Sequence, residues 1–149
     1  IVKKTSDEFF EQNTDTFDII FIDGMHQAEF VLRDFNNSVN CLNKNGLIFL
    51  DDILPINERE QKKIPIKHVY ENGILKYRES WTGDVWKLVY YLLKNYNEKI
   101  EFEIFTNKNY RGVLKISLNE KINISPDALS KINNYSYEKD FIDYYMLFI

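Results

Sequence analysis

The sequence predicts an α/β protein with a doubly wound, mostly parallel sheet that ends in an antiparallel hairpin. Two short apolar runs, residues 17–22 and 46–50, lack the alternation of half-exposed strands, which indicates strands covered on both faces. Apolar residues spaced by three and four between these runs predict a helix. Residues 100–105 and 112–118 alternate apolar and polar side chains, which is typical of a hairpin.

The amino terminus predicts a helix that follows directly on a strand. Ile1-Val2 is followed at once by Thr5-Ser6-Asp7-Glu8, the pattern of a helix start with a reciprocal cap. We therefore expect the first strands of the sheet to be missing from this chain.

The segment 17–52 predicts a strand, a helix and a second strand in parallel. The helix of about four turns presents one apolar face. Its apolar positions are Ala28, Val31, Leu32, Phe35, Val39 and Leu42. Such a crossover is right-handed, and both strands then end at the same edge of the sheet, where open α/β sheets bind ligands.

Three carboxylates are predicted to converge at that edge. Asp23 follows the first strand, and Asp51 and Asp52 follow the second. An Asp at a strand end also serves as a helix cap or turn residue, and that reading stays open for each one. Three together repel unless they hold a proton, pair with cations or bind a metal. An all-oxygen set favours magnesium, calcium or manganese.

The rest of the chain predicts a long binding loop and more helices. Residues 54–80 are polar, contain Pro55 and Pro65, and are long enough for a functional lid with a short embedded helix. Thr82 is predicted to cap a helix that begins near Gly83-Asp84. Trp81 and Trp86 flank that start, where packing and ligand stacking are both open.

The hairpin turn is predicted at Asn107-Lys108-Asn109. A further helix is predicted from Ser125-Pro126, and the aromatic-rich end, residues 141–149, is expected to pack on the body of the protein. We divide the chain into a domain at residues 1–118 and a helical extension at residues 119–149.

Composition narrows the class of protein. The 149 residues are 44% hydrophobic and 28% charged, which suits one globular domain with a core. The net charge of -4 argues against nucleic-acid binding, so we expect a small-molecule partner. The single cysteine, Cys41, is predicted to be a small core residue. No apolar run approaches the ~18 residues of a membrane span, which favours a soluble cytoplasmic protein without a membrane partner.

These residues resemble the class I S-adenosylmethionine-dependent methyltransferases, which have a Rossmann-like fold. Residues 17–26 read FDIIFIDGMH, similar to the F-D-x-I-F-I-D-G-x-H of a fourth strand in one group of that family. Asn45-Gly46 and Leu50-Asp51-Asp52 are similar to the bounds of the fifth strand, and Gly83 to Lys87 to the helix that follows. The resemblance covers roughly residues 1–118, the carboxyl-terminal two-thirds of such a domain.

The resemblance implies a cofactor and its contacts. The family's Gly-rich cofactor loop and ribose-binding acidic residue precede the region that this chain resembles, and neither is present here. The remaining candidates for contact with S-adenosylmethionine are Ser6 and Asp7, whose counterparts lie near the adenine, and the strand-end residues Asp23 and Gly24.

The resemblance also implies a metal and a base. Metal-dependent O-methyltransferases of this layout hold a divalent cation such as Mg²⁺ at the positions of Asp23, Asp51 and Asp52. Some relatives carry an acidic base at the position of Met25, which cannot accept a proton. His26 is the nearest substitute, because histidine changes charge near neutral pH, and a structural role is equally open. His68 is a weaker candidate for substrate contact.

The leading interpretation is a methyltransferase that methylates a hydroxyl of a small molecule with divalent-metal assistance. The alternative is a truncated, non-catalytic binding or assembly module that pairs through an exposed sheet edge, which makes a homo-oligomer the natural state. A different metal-dependent enzyme, such as a phosphohydrolase, ranks last because the sequence has no phosphate-cradling glycine loop.

Overall fold

The computed structural model describes residues 2–65, 69–71, 74–77, 80–106 and 111–148. The helices are α1 (Ser6–Gln12), α2 (Ala28–Cys41), α3 (Val85–Tyr96), α4 (Ala128–Asn134) and α5 (Tyr137–Met146). The strands are β1 (Phe17–Ile22), β2 (Leu42–Leu50), β3 (Val69–Glu71), β4 (Ile74–Tyr77), β5 (Ile100–Phe105) and β6 (Val113–Leu118).

Four strands form the main sheet in the order β1-β2-β6-β5. β1 and β2 are parallel, while β6 is antiparallel to both β2 and β5. Three strands therefore share one direction and only β6 opposes them. This confirms a mixed α/β fold with a mostly parallel sheet and an antiparallel β5-β6 pair. The predicted turn Asn107-Lys108-Asn109 lies outside the described residues.

Local sequence signals place the first elements. The capping box predicted at the amino terminus is present: the Thr5 side chain accepts from the Glu8 N–H, and the Glu8 side chain accepts from the Thr5 N–H. β1 has its predicted bounds. β2 begins at Leu42, four residues earlier than the apolar run suggests, so the assignment of Leu42 to the helix is wrong. Leu42 pairs with Phe17 of β1 instead, and Asn45 has a φ of 66° within the irregular part of this pairing.

One face of the sheet and the helices share a single core. Ile22, Ile48 and Leu50 from β1 and β2 are buried in one cluster with side chains of α2, α3, α4 and α5. Cys41 is buried at the end of α2, as predicted. The opposite face of β1 is open, and Ile19 and Phe21 are 64% and 54% exposed. The expectation that this strand is covered on both faces, as in a doubly wound sheet, is therefore wrong for the described part of the chain, because the buried side chains of β1 face the helices on one side only.

The short helix that is expected within residues 54–80 is not found among the described residues. The described part of residues 54–80 contains no helix; it forms turns around residues 56–64 and the antiparallel pair β3-β4. The Asn72-Gly73 pair in the sequence between these strands is a hairpin signal that outweighs the helical reading.

Thr82 does not cap α3, because Asp84 occupies the N-cap position and the Thr82 hydroxyl donates to the Glu60 carbonyl. The Asp84 side chain caps α2 instead: its Oδ1 accepts from the Ala28 N–H at 2.8 Å. This bond ties the amino-terminal ends of the two helices together.

The carboxyl-terminal helices pack on the body, as predicted. The Phe141 ring meets the buried Trp86 ring edge-on, with centroids 5.3 Å apart. The fully buried Tyr144 donates its hydroxyl to the Ile53 carbonyl at 2.7 Å. This bond joins α5 to the chain just beyond β2. No helix in the described part of the chain is long and apolar enough to span a membrane.

Replacing Tyr144 with Phe is expected to lower the free energy of unfolding by roughly 1–2 kcal/mol, because the buried Ile53 carbonyl loses its donor. The matched control is Tyr145→Phe, since the Tyr145 side chain in the same helix is 47% exposed. Urea denaturation measures both variants. Equal stability of the two would show that the buried hydrogen bond contributes nothing.

Candidate active site

The parallel pair β1-β2 brings the predicted acidic residues to one edge. Ile22 lies opposite Leu50, so Asp23 and Asp51 emerge side by side. The Asp51 N–H donates to the Ile22 carbonyl at 3.1 Å, which extends the strand pairing by one bond. The next residue, Asp52, has a φ of 56°, which turns the chain sharply at this edge.

Two of the three predicted acidic residues converge there with His26. Ligand atoms of Asp23, His26 and Asp52 all lie within 4.8 Å of one another. His26 Nε2 is 3.5 Å from Asp23 Oδ1 and 3.1 Å from Asp52 Oδ2. We call these three residues the acidic cluster. It joins two predicted metal ligands to the predicted base.

Asp51 lies beside the acidic cluster and supports its geometry. Its Oδ1 accepts the Asp52 N–H at 2.8 Å, a bond between consecutive residues that fixes the turn after β2. The converging set among the described residues is thus Asp23, His26 and Asp52 rather than the predicted set of three aspartates.

The backbone of Trp81 orients His26. His26 Nδ1 is 2.8 Å from the Trp81 carbonyl oxygen, and because a carbonyl only accepts, Nδ1 carries the proton. In the neutral ring Nε2 is then the unprotonated nitrogen, and it faces the two carboxylates. The Trp81 ring stacks on the imidazole, with centroids 5.0 Å apart at 26°.

The acidic cluster places the partly buried Asp52 carboxylate beside other negative charges. Burial is the main cause that raises the pKa of Asp52 to about 6, and the neighbouring Asp51 and Asp23 add to the rise against the opposing effects of His26 and Arg111. A cation or a proton placed among these groups removes the repulsion.

A glycine permits the close approach of the Trp81 segment to His26. Gly83 has a φ of 58°, and a Cβ atom there would lie 1.5 Å from the His26 carbonyl oxygen. No other residue fits this position without moving the segment. The sequence pattern predicts only a helix start at Gly83 and does not indicate this close contact.

Three of the four predicted cofactor residues, Ser6, Asp7 and Gly24, lie beside residues 33–34 of α2. The Ser6 hydroxyl bonds to Asp34 of α2, and Asp7 pairs with Arg33 at 3.1 Å. A Cβ on Gly24 would lie 3.5 Å from Asp34 Oδ2. Burial is the main cause that raises the pKa of the half-buried Asp34 carboxyl. Sequence analysis did not give Asp34 a role in this neighbourhood.

Other predicted and missed residues are placed as follows. His68 lies outside the described residues. Trp86 is a buried core residue, which favours packing over ligand stacking for that tryptophan. The sequence leaves ligand stacking open for Trp81, but it gives no sign of the contact between the Trp81 carbonyl and His26. Glu60 was missed, because no local pattern reveals a buried carboxylate in a charged run.

The comparisons with known proteins point to one family. A family model described as a methyltransferase domain matches residues 1–53, which include α1, β1, α2, β2 and the three strand-end aspartates. Neither the curated proteins nor the solved structures gave a match to the chain. The family match confirms the resemblance to a class I methyltransferase-like domain. It supports a methyltransferase, and such a domain in general uses S-adenosylmethionine.

The raised pKa of Asp52 predicts a cost in stability when no metal is bound. Between pH 3.8 and about 6 the unfolded chain releases this proton while the folded chain keeps it, so stability falls as pH rises through that window. Above pH 6 the folded chain carries the charged Asp52 at a cost, so Asp52→Asn is expected to raise the free energy of unfolding there. The gain is on the order of 1 kcal/mol, after discounting for solvent screening.

Thermal unfolding of the unchanged chain and of Asp52→Asn, in the presence of a chelator at pH 4 and pH 7, measures the difference in stability. The exposed Asp15→Asn is the matched control, since it changes the net charge equally. A variant at residue 52 that gains no stability at pH 7 over pH 4 would contradict the predicted cost.

Proposed function

We propose that this chain is a domain of an S-adenosylmethionine-dependent methyltransferase, which methylates a hydroxyl of a small molecule with the help of a divalent cation. The acidic cluster is the observation that supports this proposal most directly. It stands at the carboxyl edge of the sheet, next to the predicted cofactor residues, where the donor and the acceptor of a methyl group have to meet.

The residues of the acidic cluster fit a divalent cation. Asp23 and Asp52 offer carboxylate oxygens, which lie together with a ring nitrogen of His26 within 4.8 Å of one another. We leave His26 out of the ligand set, because its one unprotonated nitrogen is the proposed base. Asp51, a ligand in the related enzymes, lies beside them. Mg²⁺ is the cation that the resemblance implies, and it takes carboxylate oxygens and waters. A divalent cation bound here supplies Lewis-acid activation of a substrate hydroxyl.

The neighbourhood of Ser6 and Gly24 fits the chemistry of the proposed cofactor. S-adenosylmethionine carries a sulfonium and an ammonium group, and the Asp34 carboxylate lies near both Gly24 and Ser6. Ser6, Asp7, Asp23 and Gly24 are the proposed cofactor contacts. Gly24 leaves room for a ligand to approach the backbone after β1.

We assign the proton transfer to His26. Nε2, the unprotonated nitrogen of the neutral ring, would accept the proton of a substrate hydroxyl, while the methyl–sulfur bond of the donor would break and S-adenosylhomocysteine would leave. The Nδ1–H bond to the Trp81 carbonyl keeps the ring in the orientation that this transfer needs. Asp23 and Asp52 then stabilise the imidazolium, because their oxygens are 3.5 and 3.1 Å from Nε2.

Calorimetric titration with S-adenosylhomocysteine, with and without excess Mg²⁺, tests the proposed function without requiring the acceptor. We expect binding in the micromolar range and tighter binding in the presence of the metal. A folded sample that binds neither the metal nor S-adenosylhomocysteine would refute the assignment for this chain.

Replacing Asp52 with Asn is expected to weaken Mg²⁺ or Mn²⁺ binding by more than tenfold, which corresponds to about 1.4 kcal/mol. The reason is that one of the two carboxylates of the acidic cluster loses its charge. Titration calorimetry measures the affinity, and Asp15→Asn is again the control for net charge. Unchanged affinity at residue 52 would remove the metal from the proposal.

A second candidate function, an assembly module, has one observation in its favour. β1 lies at the edge of the described sheet, and its Ile19 and Phe21 side chains are more than half exposed. An apolar edge strand pairs readily with another chain. Sedimentation velocity of the chain and of Phe21→Lys tests this candidate; a concentration-independent monomer for both would argue against it.

A further inference from the structure

Glu60 is a buried charged residue that takes no part in the proposed chemistry. Only 6% of it is exposed, although it lies in the charged run 58–63. Its carboxylate accepts hydrogen bonds from Arg111 Nε at 2.7 Å, from the Ser80 hydroxyl at 2.6 Å and from the Ile56 N–H at 3.0 Å. These bonds overcome the effect of burial and hold the pKa of Glu60 below its usual value.

The backbone carbonyl of Glu60 binds the two residues that follow Trp81 in the sequence. Its carbonyl accepts the N–H groups of Thr82 at 3.1 Å and Gly83 at 2.9 Å. The Thr82 hydroxyl donates to the same oxygen. Glu60 therefore binds the residue before Trp81 through its carboxylate and the two residues after Trp81 through its carbonyl.

The side chain of Trp81 is fixed by a neighbour of Glu60. The indole Nε1 donates to the Lys62 carbonyl at 2.6 Å, so the ring of Trp81 is bonded to Lys62 while the residues on both sides of Trp81 are bonded to Glu60. The Trp81 carbonyl in turn receives the Nδ1–H of His26, and the Trp81 ring stacks on the imidazole. A continuous chain of contacts thus runs from Arg111 through Glu60 and Trp81 to His26.

We propose that Glu60 is a positioning residue that, through the Trp81 carbonyl, holds His26 in the Nδ1–H tautomer with Nε2 open to Asp23 and Asp52. The proposal rests on the proposed function for the use that is made of Nε2. The hydrogen bond made by one ring nitrogen determines which nitrogen of a neutral histidine carries the proton. If the Trp81 carbonyl moves away, the proton is free to pass to Nε2, and His26 then has no unprotonated nitrogen facing the acidic cluster to act as a base.

A ring-nitrogen measurement separates this positioning role from simple stabilisation of the fold. The chain has two histidines, so His68→Asn leaves His26 as the single imidazole. Long-range ¹H–¹⁵N spectra of this background, recorded where the imidazole is neutral and metal-free, distinguish the two tautomers directly. Glu60→Ala is made in the same background, together with the milder Glu60→Gln, which keeps the side-chain length.

The matched control is Glu103→Gln. Glu103 pairs with Lys115 at 2.6 Å across β5 and β6, so this variant also removes a carboxylate from an ion pair but lies outside the chain of contacts to His26. Amide spectra and thermal unfolding establish that each variant is folded and give its loss of stability.

We expect the Nδ1–H tautomer to dominate in the background protein and in the Glu103 control. In Glu60→Ala the ratio of the Nδ1–H to the Nε2–H form is expected to fall at least about fivefold, the ratio that one ordinary hydrogen bond maintains. Glu60→Gln is expected to shift the ratio in the same direction by less, and it carries the test if Glu60→Ala does not fold.

Two results would overturn the proposal. One is a background protein in which His26 is mainly the Nε2–H tautomer. The other is a folded Glu60 variant of reduced stability with an unchanged tautomer ratio, which would make Glu60 a structural residue only. Failure of the background protein to bind metal or S-adenosylhomocysteine would instead refute the proposed function, and the tautomer ratios would still decide the role of Glu60.

Discussion

The parallel pairing of β1 with β2 is the constraint on which the candidate site depends. Because Ile22 lies opposite Leu50, the residues after both strands emerge at the same height of the same edge. A shift of one residue in this register would turn the side chains of one strand to the other face and separate Asp23 from Asp52. The apolar face of α2 maintains the register, since it packs on the buried side chains of both strands.

The elements with strong local signals were predictable from the sequence. The apolar runs, the helical spacing in α2 and the capping box at Thr5 each depend on neighbours a few residues apart, and β1, α2 and α1 appear where these signals place them. The convergence of Asp23 and Asp52 was also predictable, because it follows from the direction of two strands and needs no side-chain detail.

The segments that support His26, around Glu60 and Trp81, could not be predicted from the sequence in the same way. Glu60 belongs to a charged run that is typical of a solvated loop, but in the fold its carboxylate is buried with a partner, Arg111, that lies 51 residues later in the sequence. The role of Trp81 depends on its backbone carbonyl, which every residue possesses. Thr82 has the chemistry of a helix cap, but the Glu60 carbonyl competes successfully for its hydroxyl.

The contact between His26 and Trp81 has a consequence for how the protein folds. The two residues are 55 positions apart, and Glu60 and Arg111 are nearly as distant, so the site requires several large loops to close. Contacts of long sequence separation form late, because the chain entropy of loop closure is paid before they contribute. The helix α2 and its two flanking strands involve much shorter separations. We therefore place the assembly of His26 with its supporting segments after the pairing of β1 with β2, so that a chain with these two strands already paired still lacks a formed site.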